Sequence, residues 1–112
     1  MDFRRSERIR RRADFRQVYD RGVRIRGRYS TVFLLQNDKG TDRLGIAATK
    51  KLGGAVKRNK AKRLIREVFR RNKIASGLDI VVVPKRELLD ASLNVLEADY
   101  RTLIERRLRQ RR

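Results

Sequence analysis

The segment DIVVVP contains one of the two longest apolar runs in this chain, Ile80–Val83, which is only four residues long. A run of this length is too short to cross a membrane, and its β-branched residues are typical of a strand buried on both faces. Pro84 marks its end, because proline cannot donate a backbone hydrogen bond to a neighbouring strand. Such a strand needs cover on both sides, which indicates layers of helices around a sheet.

The rest of the chain supplies further helices and strands. Apolar residues at helical spacing predict a helix from Ala13 that stops at Gly22. Alternating residues in 24–36 and 43–50 predict strands separated by the turn NDKGTD, and a charge-dense helix follows over 55–72. A last helix is predicted from five apolar residues: Leu93, Leu96, Tyr100, Leu103 and Ile104. The order of helix, two or three strands, helix, strand and helix predicts an α/β sandwich.

The two ends of the chain are rich in arginine and weakly patterned. Residues 1–12 predict a basic flexible arm, and the last helix is expected to fray into a basic tail over residues 106–112. No internal repeat and no long linker divides the chain, so we expect one domain over residues 1–112.

The charge of the chain indicates its class of partner. A formal net charge of +19 and a pI near 11.6 favour a polyanion and fast, salt-sensitive association. The N-terminus lacks the apolar stretch of a signal peptide, so we expect a soluble cytoplasmic protein that binds no membrane.

Several kinds of chemistry are excluded or disfavoured by residues that the chain lacks. It has no Cys and no His, which removes disulfides, thiolate metal sites and the commonest general base. Its 13 acidic residues are dispersed, whereas two-metal hydrolysis needs clustered carboxylates. A protein-only nuclease is the enzyme alternative, and these absences count against it.

The helix AVKRNKAKRLIREVFRRN (55–72) carries the strongest functional signal, because its cations are grouped. One face of its helical wheel predicts a buried stripe of Ala61, Leu64, Ile65, Val68 and Phe69. The opposite face, here called the basic ridge, carries Asn59, Arg63, Arg66 and Arg70, flanked by Arg58 and Lys62. Stacked like charges are unfavourable unless an anion lies against them, and the planar guanidinium suits phosphate. A merely solvated basic face remains the alternative.

One ridge residue is not a cation. Asn59 can both donate and accept hydrogen bonds, so it could contact a 2′-hydroxyl or a base edge. It could equally serve as an N-terminal cap or bond to the local backbone.

Residues 43–70, RLGIAATKKLGGAVKRNKAKRLIREVFR, resemble the signature of the bacterial ribonuclease P protein component. That family has an R-L-G strand, a lysine pair, and a helix with the pattern R-N-x-x-K-R-x-x-R. DFRQVYDRG (14–22) and GLDIVVVPK (77–85) match its upstream and downstream blocks, so the resemblance covers about residues 8–85. It implies an α-β-β-β-α-β-α fold with a left-handed parallel crossover around the 55–72 helix, an exception to the usual right-handed rule.

The resemblance also implies a function and a set of site residues. The protein would be the small subunit of a ribozyme that removes the 5′ leader from precursor tRNA. The RNA subunit would hydrolyse with bound Mg²⁺, and the protein would need no catalytic residue, metal, cofactor or obligate protein partner. RNA-subunit contacts are implied at Lys50, Lys51, Arg58, Asn59, Lys62, Arg63 and Arg66, and the wheel adds Arg70. The leader cleft would be lined by Phe15, Tyr19 and Phe33.

Two alternatives stay open on the residues alone. Aromatic side chains at helical spacing are ordinarily core residues, although aromatic faces also accept stacked bases without reading their sequence. A ribosomal protein or general RNA chaperone would have a similar composition, and the ordered R-N-x-x-K-R-x-x-R block is what argues against it.

Overall fold

A computed structural model describes residues 7–73 and 77–110, except for the side chain of residue 110. Its elements in chain order are α1 (Arg12–Arg21), β1 (Val23–Arg26), β2 (Ser30–Gln36), β3 (Arg43–Ile46), α2 (Ala55–Arg71), β4 (Leu78–Pro84) and α3 (Leu93–Gln110). Two 3₁₀ turns, Lys50–Leu52 and Arg86–Asp90, precede α2 and α3. The α/β class and the predicted order of elements are confirmed.

The strands form one mixed sheet in the order β1-β2-β4-β3, so β4 is an inner strand. It pairs antiparallel with β2 and parallel with β3. Ile80 and Val81 are adjacent in β4 and both are fully buried, so the strand is covered on both faces as its sequence predicts. α2 joins the parallel strands β3 and β4 and is therefore the predicted crossover, whose left hand stays a prediction.

Each face of the sheet carries its own apolar cluster. The larger cluster packs β-strand residues such as Val32, Leu34 and Ile80 against α2 and α3. The smaller cluster lies on the opposite face, where Val81 packs beneath α1. α1 is a single helix of ten residues, so it leaves parts of this second face open on either side of it.

An ion pair fixes β3 to β4 at one end of this second face. Arg43 donates from Nε and Nη2 to the two carboxylate oxygens of Asp79, at 2.8 and 2.7 Å, and Asn37 Nδ2 adds a bond of 2.8 Å. Burial raises the pKa of Asp79, but the hydrogen bonds from Arg43 and Asn37 and the nearby positive charges outweigh it, so the pKa lies below its usual value. The pair therefore stays ionised at neutral pH.

Residues 7–11 are not the flexible arm that the sequence predicts. Arg8 forms a parallel bridge with Leu44, and the Ile9 N–H donates to the Leu44 carbonyl at 2.9 Å. The Ile9 side chain is buried in the smaller cluster, which explains why this basic segment is held against the edge of β3. Residues 1–6 of the predicted arm lie outside the described residues.

The strands and the last helix differ from the sequence prediction in length. The predicted strand 24–36 divides at residues 27–29 into the hairpin of β1 and β2. β3 ends at Ile46 instead of residue 50, because the chain turns to bury Leu52. α3 continues past residue 106 to Gln110, since Leu108 still packs against the larger cluster. Residues 111–112 of the predicted tail lie outside the described residues.

Gly22 ends α1 as predicted, but not through the left-handed conformation that glycine often adopts at the end of a helix. Its φ of −80° is open to any residue, so no left-handed conformation is involved. A Cβ at this position would lie 2.5 Å from the Val18 carbonyl oxygen and 2.9 Å from that of Leu34. Glycine is required there because the end of the helix comes so close to β2.

Candidate RNA-binding surface

The apolar stripe of α2 docks the helix on the sheet and thereby orients the basic ridge. Ala61, Ile65, Val68 and Phe69 are buried, and Leu64 is partly buried against the same cluster. The predicted stripe is confirmed. Because the ridge lies on the opposite side of the helix, Arg63 at its centre faces away from the sheet, whereas Lys62 and Arg66 on one side of it reach the edge of β3.

Most of the ridge cations are unpaired. Arg63 is exposed, and Arg58, Lys62 and Arg66 are partly exposed. None of these four has an acidic partner among residues 7–73 and 77–110. Four cations on one helix with no internal counter-charge form a surface on which an anion would relieve repulsion.

Arg70 differs from the rest of the ridge. Its Nε donates to Glu67 Oε1 at 3.1 Å, and its Nη2 contacts the same carboxylate. A phosphate would have to compete with Glu67 for this guanidinium. We therefore expect Arg70 to contribute less to RNA binding than Arg63 or Arg66.

Asn59 is not a helix cap. Gly54 occupies the N-cap position of α2, and the exposed Asn59 side chain has no hydrogen bond within the described part of the chain. The local alternative for Asn59 is therefore wrong, and its amide is available to a ligand.

Lys50 and Lys51 lie on the 3₁₀ turn that precedes α2, and both are exposed. The Lys51 carbonyl accepts a bond of 3.2 Å from Arg86 Nε, which ties this turn to the segment after β4. The two lysines therefore stand near the first turn of α2, as their place in the motif predicts.

The structure brings Phe15, Tyr19 and Phe33 together in one row. The ring centroids of Phe15 and Tyr19 are 6.4 Å apart, and those of Tyr19 and Phe33 are 4.9 Å apart in an edge-to-face arrangement. Tyr19 is 39% exposed, whereas Phe15 and Phe33 are partly buried and pack against the smaller cluster. The rings thus combine core packing with accessible surface, and their role toward a leader stays a prediction.

A groove of about 510 Å³ opens beside Tyr19 and Phe33. Together with the three rings it is called the aromatic cleft here. Sequence reasoning missed its remaining lining residues, which are Arg24, Arg26, Thr31, Ala47, Thr49, Val83 and Lys85. The alternation V-R-I-R carries a signal for two of them, because it buries Ile25 and turns both arginines to the other face. Finding them also needs the strand register, which pairs Arg24 with Phe33 and Arg26 with Thr31.

A smaller groove of about 200 Å³ joins the basic ridge to the aromatic cleft. It is called the junction groove here, and Phe15 lies in it together with Lys62 and Arg66 of α2 and with Arg8 and Arg10. Because Phe15 also contacts Tyr19, the ridge and the cleft are parts of one continuous surface.

Acidic side chains contribute little to this surface. Within residues 7–73 and 77–110, no three Asp or Glu side chains are grouped so that they could hold a metal ion.

The helices in these ranges include none that is long and apolar enough to cross a bilayer.

Comparison with known proteins identifies the family. The family model described as Ribonuclease P matches residues 3–108. The Ribonuclease P protein component of Clostridioides difficile strain 630 is 35% identical over 109 residues, covering 95% of this chain and 96% of that protein. The protein of the same name from Thermotoga sp. strain RQ2 is 41% identical over 108 residues, covering 95% and 90%. The solved structure of the Thermotoga maritima RNase P protein has a TM-score of 0.80 at 37% identity, covering 89% and 96%. The chain therefore belongs to the family of ribonuclease P protein components.

Proposed function

We propose that this protein is the protein subunit of a ribonuclease P holoenzyme, an endoribonuclease that matures the 5′ end of tRNA. The basic ridge would bind the RNA subunit, and the aromatic cleft would bind the 5′ leader of precursor tRNA. The observation that carries this proposal is the junction groove, in which Phe15 faces Lys62 and Arg66. A surface of this kind can hold the leader next to the RNA subunit, which cleaves the bond between the leader and the tRNA.

The ridge is suited to the RNA subunit by its charge and by its exposed amide. Arg58, Lys62, Arg63 and Arg66 have no acidic partner in the described ranges, so binding phosphates breaks no internal ion pair. Neutralising phosphates releases condensed counterions, which makes assembly favourable at low salt and strongly salt-dependent. The exposed Asn59 amide would distinguish RNA from DNA if it bonds a 2′-hydroxyl.

The aromatic cleft is suited to a leader of any sequence. Each base stacked on an aromatic side chain contributes about 1–3 kcal/mol, and every base has a π-face, so stacking does not select sequence. Arg24, Arg26 and Lys85 line the same groove and would hold the phosphates between stacked bases. The Tyr19 hydroxyl is protonated at neutral pH and can donate a hydrogen bond, and burial raises its pKa further.

Hydrolysis in this proposal belongs to the RNA subunit with its Mg²⁺. The protein's residues bind and orient the leader and supply positive charge near the reacting phosphate. No further protein subunit is required, and the holoenzyme would act in the cytoplasm. The rival functions lack a comparable observation, because neither a protein-only nuclease nor a general chaperone explains why the ridge and the cleft adjoin.

Replacing Phe15 with leucine tests the leader site without emptying the core. Leucine keeps an apolar side chain against Gly45 and Ile9 but removes the aromatic face. We expect the affinity of the reconstituted holoenzyme for precursor tRNA to fall roughly tenfold, while its affinity for mature tRNA is unchanged. Equilibrium binding of both RNAs to the same preparation measures the two values.

Tyr29→Leu is the matched control, because Tyr29 is a partly buried aromatic residue outside the aromatic cleft. It should leave the ratio of the two affinities as in the wild type. An equal loss of affinity for precursor and mature tRNA in Phe15→Leu would contradict leader binding by the aromatic cleft.

A further inference from the structure

A third groove, of about 560 Å³, lies on the opposite side of α1 from the aromatic cleft. It is called the distal groove here, and it runs between α1 and the turn after β2. At 100° per residue, Asp14, Gln17 and Arg21 lie on one flank of the buried Val18, whereas Phe15 and Tyr19 lie on the other. The first three residues line the distal groove. α1 therefore stands between two grooves on this face of the sheet.

The distal groove has a surplus of unpaired cations. Its lining includes six cationic and three acidic side chains. Two of the acids are already engaged, because Arg43 is bonded to Asp79 and lies 3.7 Å from Asp14. Arg10, Arg11 and Arg21 have no acidic partner within the described ranges. Lys39 forms no ion pair there, although its charge helps to lower the pKa of Asp79. Asp38, on the exposed turn, is the one remaining carboxylate of the lining that has no cationic partner there.

The chemistry of the groove suits a phosphate backbone better than stacked bases. Among the described residues that line it there is no aromatic ring, and Leu35 is its one apolar side chain. The Gln17 amide is exposed and has no bond within the described chain, so it can donate to an anion. Arginine forks and amides are the groups that bind phosphate oxygens without reading sequence.

The distal groove is continuous with the surface already described. Arg8 and Arg10 line both the distal groove and the junction groove, where Lys62 and Arg66 of the basic ridge are found. A strand of RNA on the ridge could thus pass over the segment before α1 and enter the distal groove along a path of positive charge.

We propose that the distal groove binds the phosphodiester backbone of a single-stranded RNA segment that continues from the basic ridge and junction groove. Arg10, Arg11, Arg21 and Lys39 contact its phosphates. This assignment rests on the proposed function and extends the RNA footprint to the far side of α1. The segment comes either from the RNA subunit or from the 5′-distal part of a long leader, and the two sources share the chemistry that the groove recognises.

The test uses the double variant Arg21→Ala/Lys39→Ala in the full chain. Both side chains are exposed and form no ion pair within the described ranges, so we expect its melting temperature to match the wild type. One arm measures binding of the RNA subunit to the protein. The other measures binding of precursor tRNAs with a short and a long leader to the reconstituted holoenzyme.

In the measurement whose RNA contains the bound segment, we expect Arg21→Ala/Lys39→Ala to lower the affinity roughly tenfold. The slope of log affinity against log salt should become shallower by about 1.4 units. Weaker binding of the RNA subunit identifies that subunit as the source of the segment. Weaker binding only of the precursor tRNA with the long leader identifies the leader as the source. Asp38→Asn should tighten binding in the same arm, because it removes a carboxylate while asparagine still tolerates the φ of 60° at this position.

The matched control Arg106→Ala/Arg109→Ala removes the same charge from exposed positions on α3 and should change neither arm. Wild-type binding by Arg21→Ala/Lys39→Ala in both arms, with Arg63→Ala/Arg66→Ala impaired, would overturn the distal-groove assignment alone. Failure of the wild type to bind either RNA would overturn the proposed function and this assignment with it.

Discussion

Replacing both Arg63 and Arg66 with alanine should weaken assembly with the RNA subunit by about 2–3 kcal/mol, a factor of roughly 30 to 150. Neither guanidinium has an acidic partner in the described ranges, so their removal leaves no buried charge behind. The slope of log affinity against log salt should become shallower by about 0.7–0.9 units for each phosphate that the variant no longer neutralises. Titrations of the RNA subunit at several salt concentrations measure both quantities.

Arg106→Ala/Arg109→Ala is again the control of equal charge, and it separates a specific interaction from a general drop in net charge. Arg70→Ala is a second comparison, and it should weaken binding less than Arg63→Ala or Arg66→Ala, because Glu67 already holds Arg70. Equal weakening by the α3 pair and the ridge pair would mean that the ridge is only a solvated basic face.

Replacing Gly45 with alanine should destabilise the protein and disturb the aromatic cleft. A Cβ on Gly45 would lie 2.8 Å from two ring carbons of Phe15 and 3.1 Å from the Cβ of Ile9. The Phe15 ring must then move away from β3, and overpacking of this kind costs about 1–3 kcal/mol. For a domain of this size we expect the melting temperature to fall by about 4–13 °C. Thermal unfolding followed by circular dichroism measures the shift.

Two variants make the interpretation of Gly45→Ala specific. Gly54→Ser adds a side chain where nothing lies within 4 Å of the new Cβ, and serine is favoured at an N-cap, so stability should not fall. Gly45→Ala combined with Phe15→Ala should cost less than the sum of the single changes, because truncation of the ring removes the clash. Strict additivity would show that Gly45 does not act through Phe15.

The sequence predicted the features that depend on local periodicity. The stripe from Ala61 to Phe69 and the ridge around Arg63 follow from the helical repeat alone. The buried character of Ile80–Val83 follows from a continuous apolar run. These features need no knowledge of which distant segments pair.

What the sequence could not predict depends on pairing between distant segments. Arg24 and Arg26 enter the aromatic cleft only because β1 pairs with β2 in one register. Residues 7–11 contact β3 because Ile9 is buried in the smaller cluster. A single apolar residue among arginines is too weak a signal to predict this contact from the sequence. The glycine in R-L-G is needed because Phe15, thirty residues earlier, and Ile9 both pack close to it.

The most direct test of the central claim is precursor-tRNA processing with a bacterial ribonuclease P RNA subunit at low Mg²⁺, with and without this protein. We predict correct 5′ cleavage when the wild-type protein is present, little cleavage by the RNA alone, and none by the protein alone. Arg63→Ala/Arg66→Ala should need a higher protein concentration for the same rate. Equal cleavage with and without the protein, or 5′ cleavage by the protein alone, would contradict the claim.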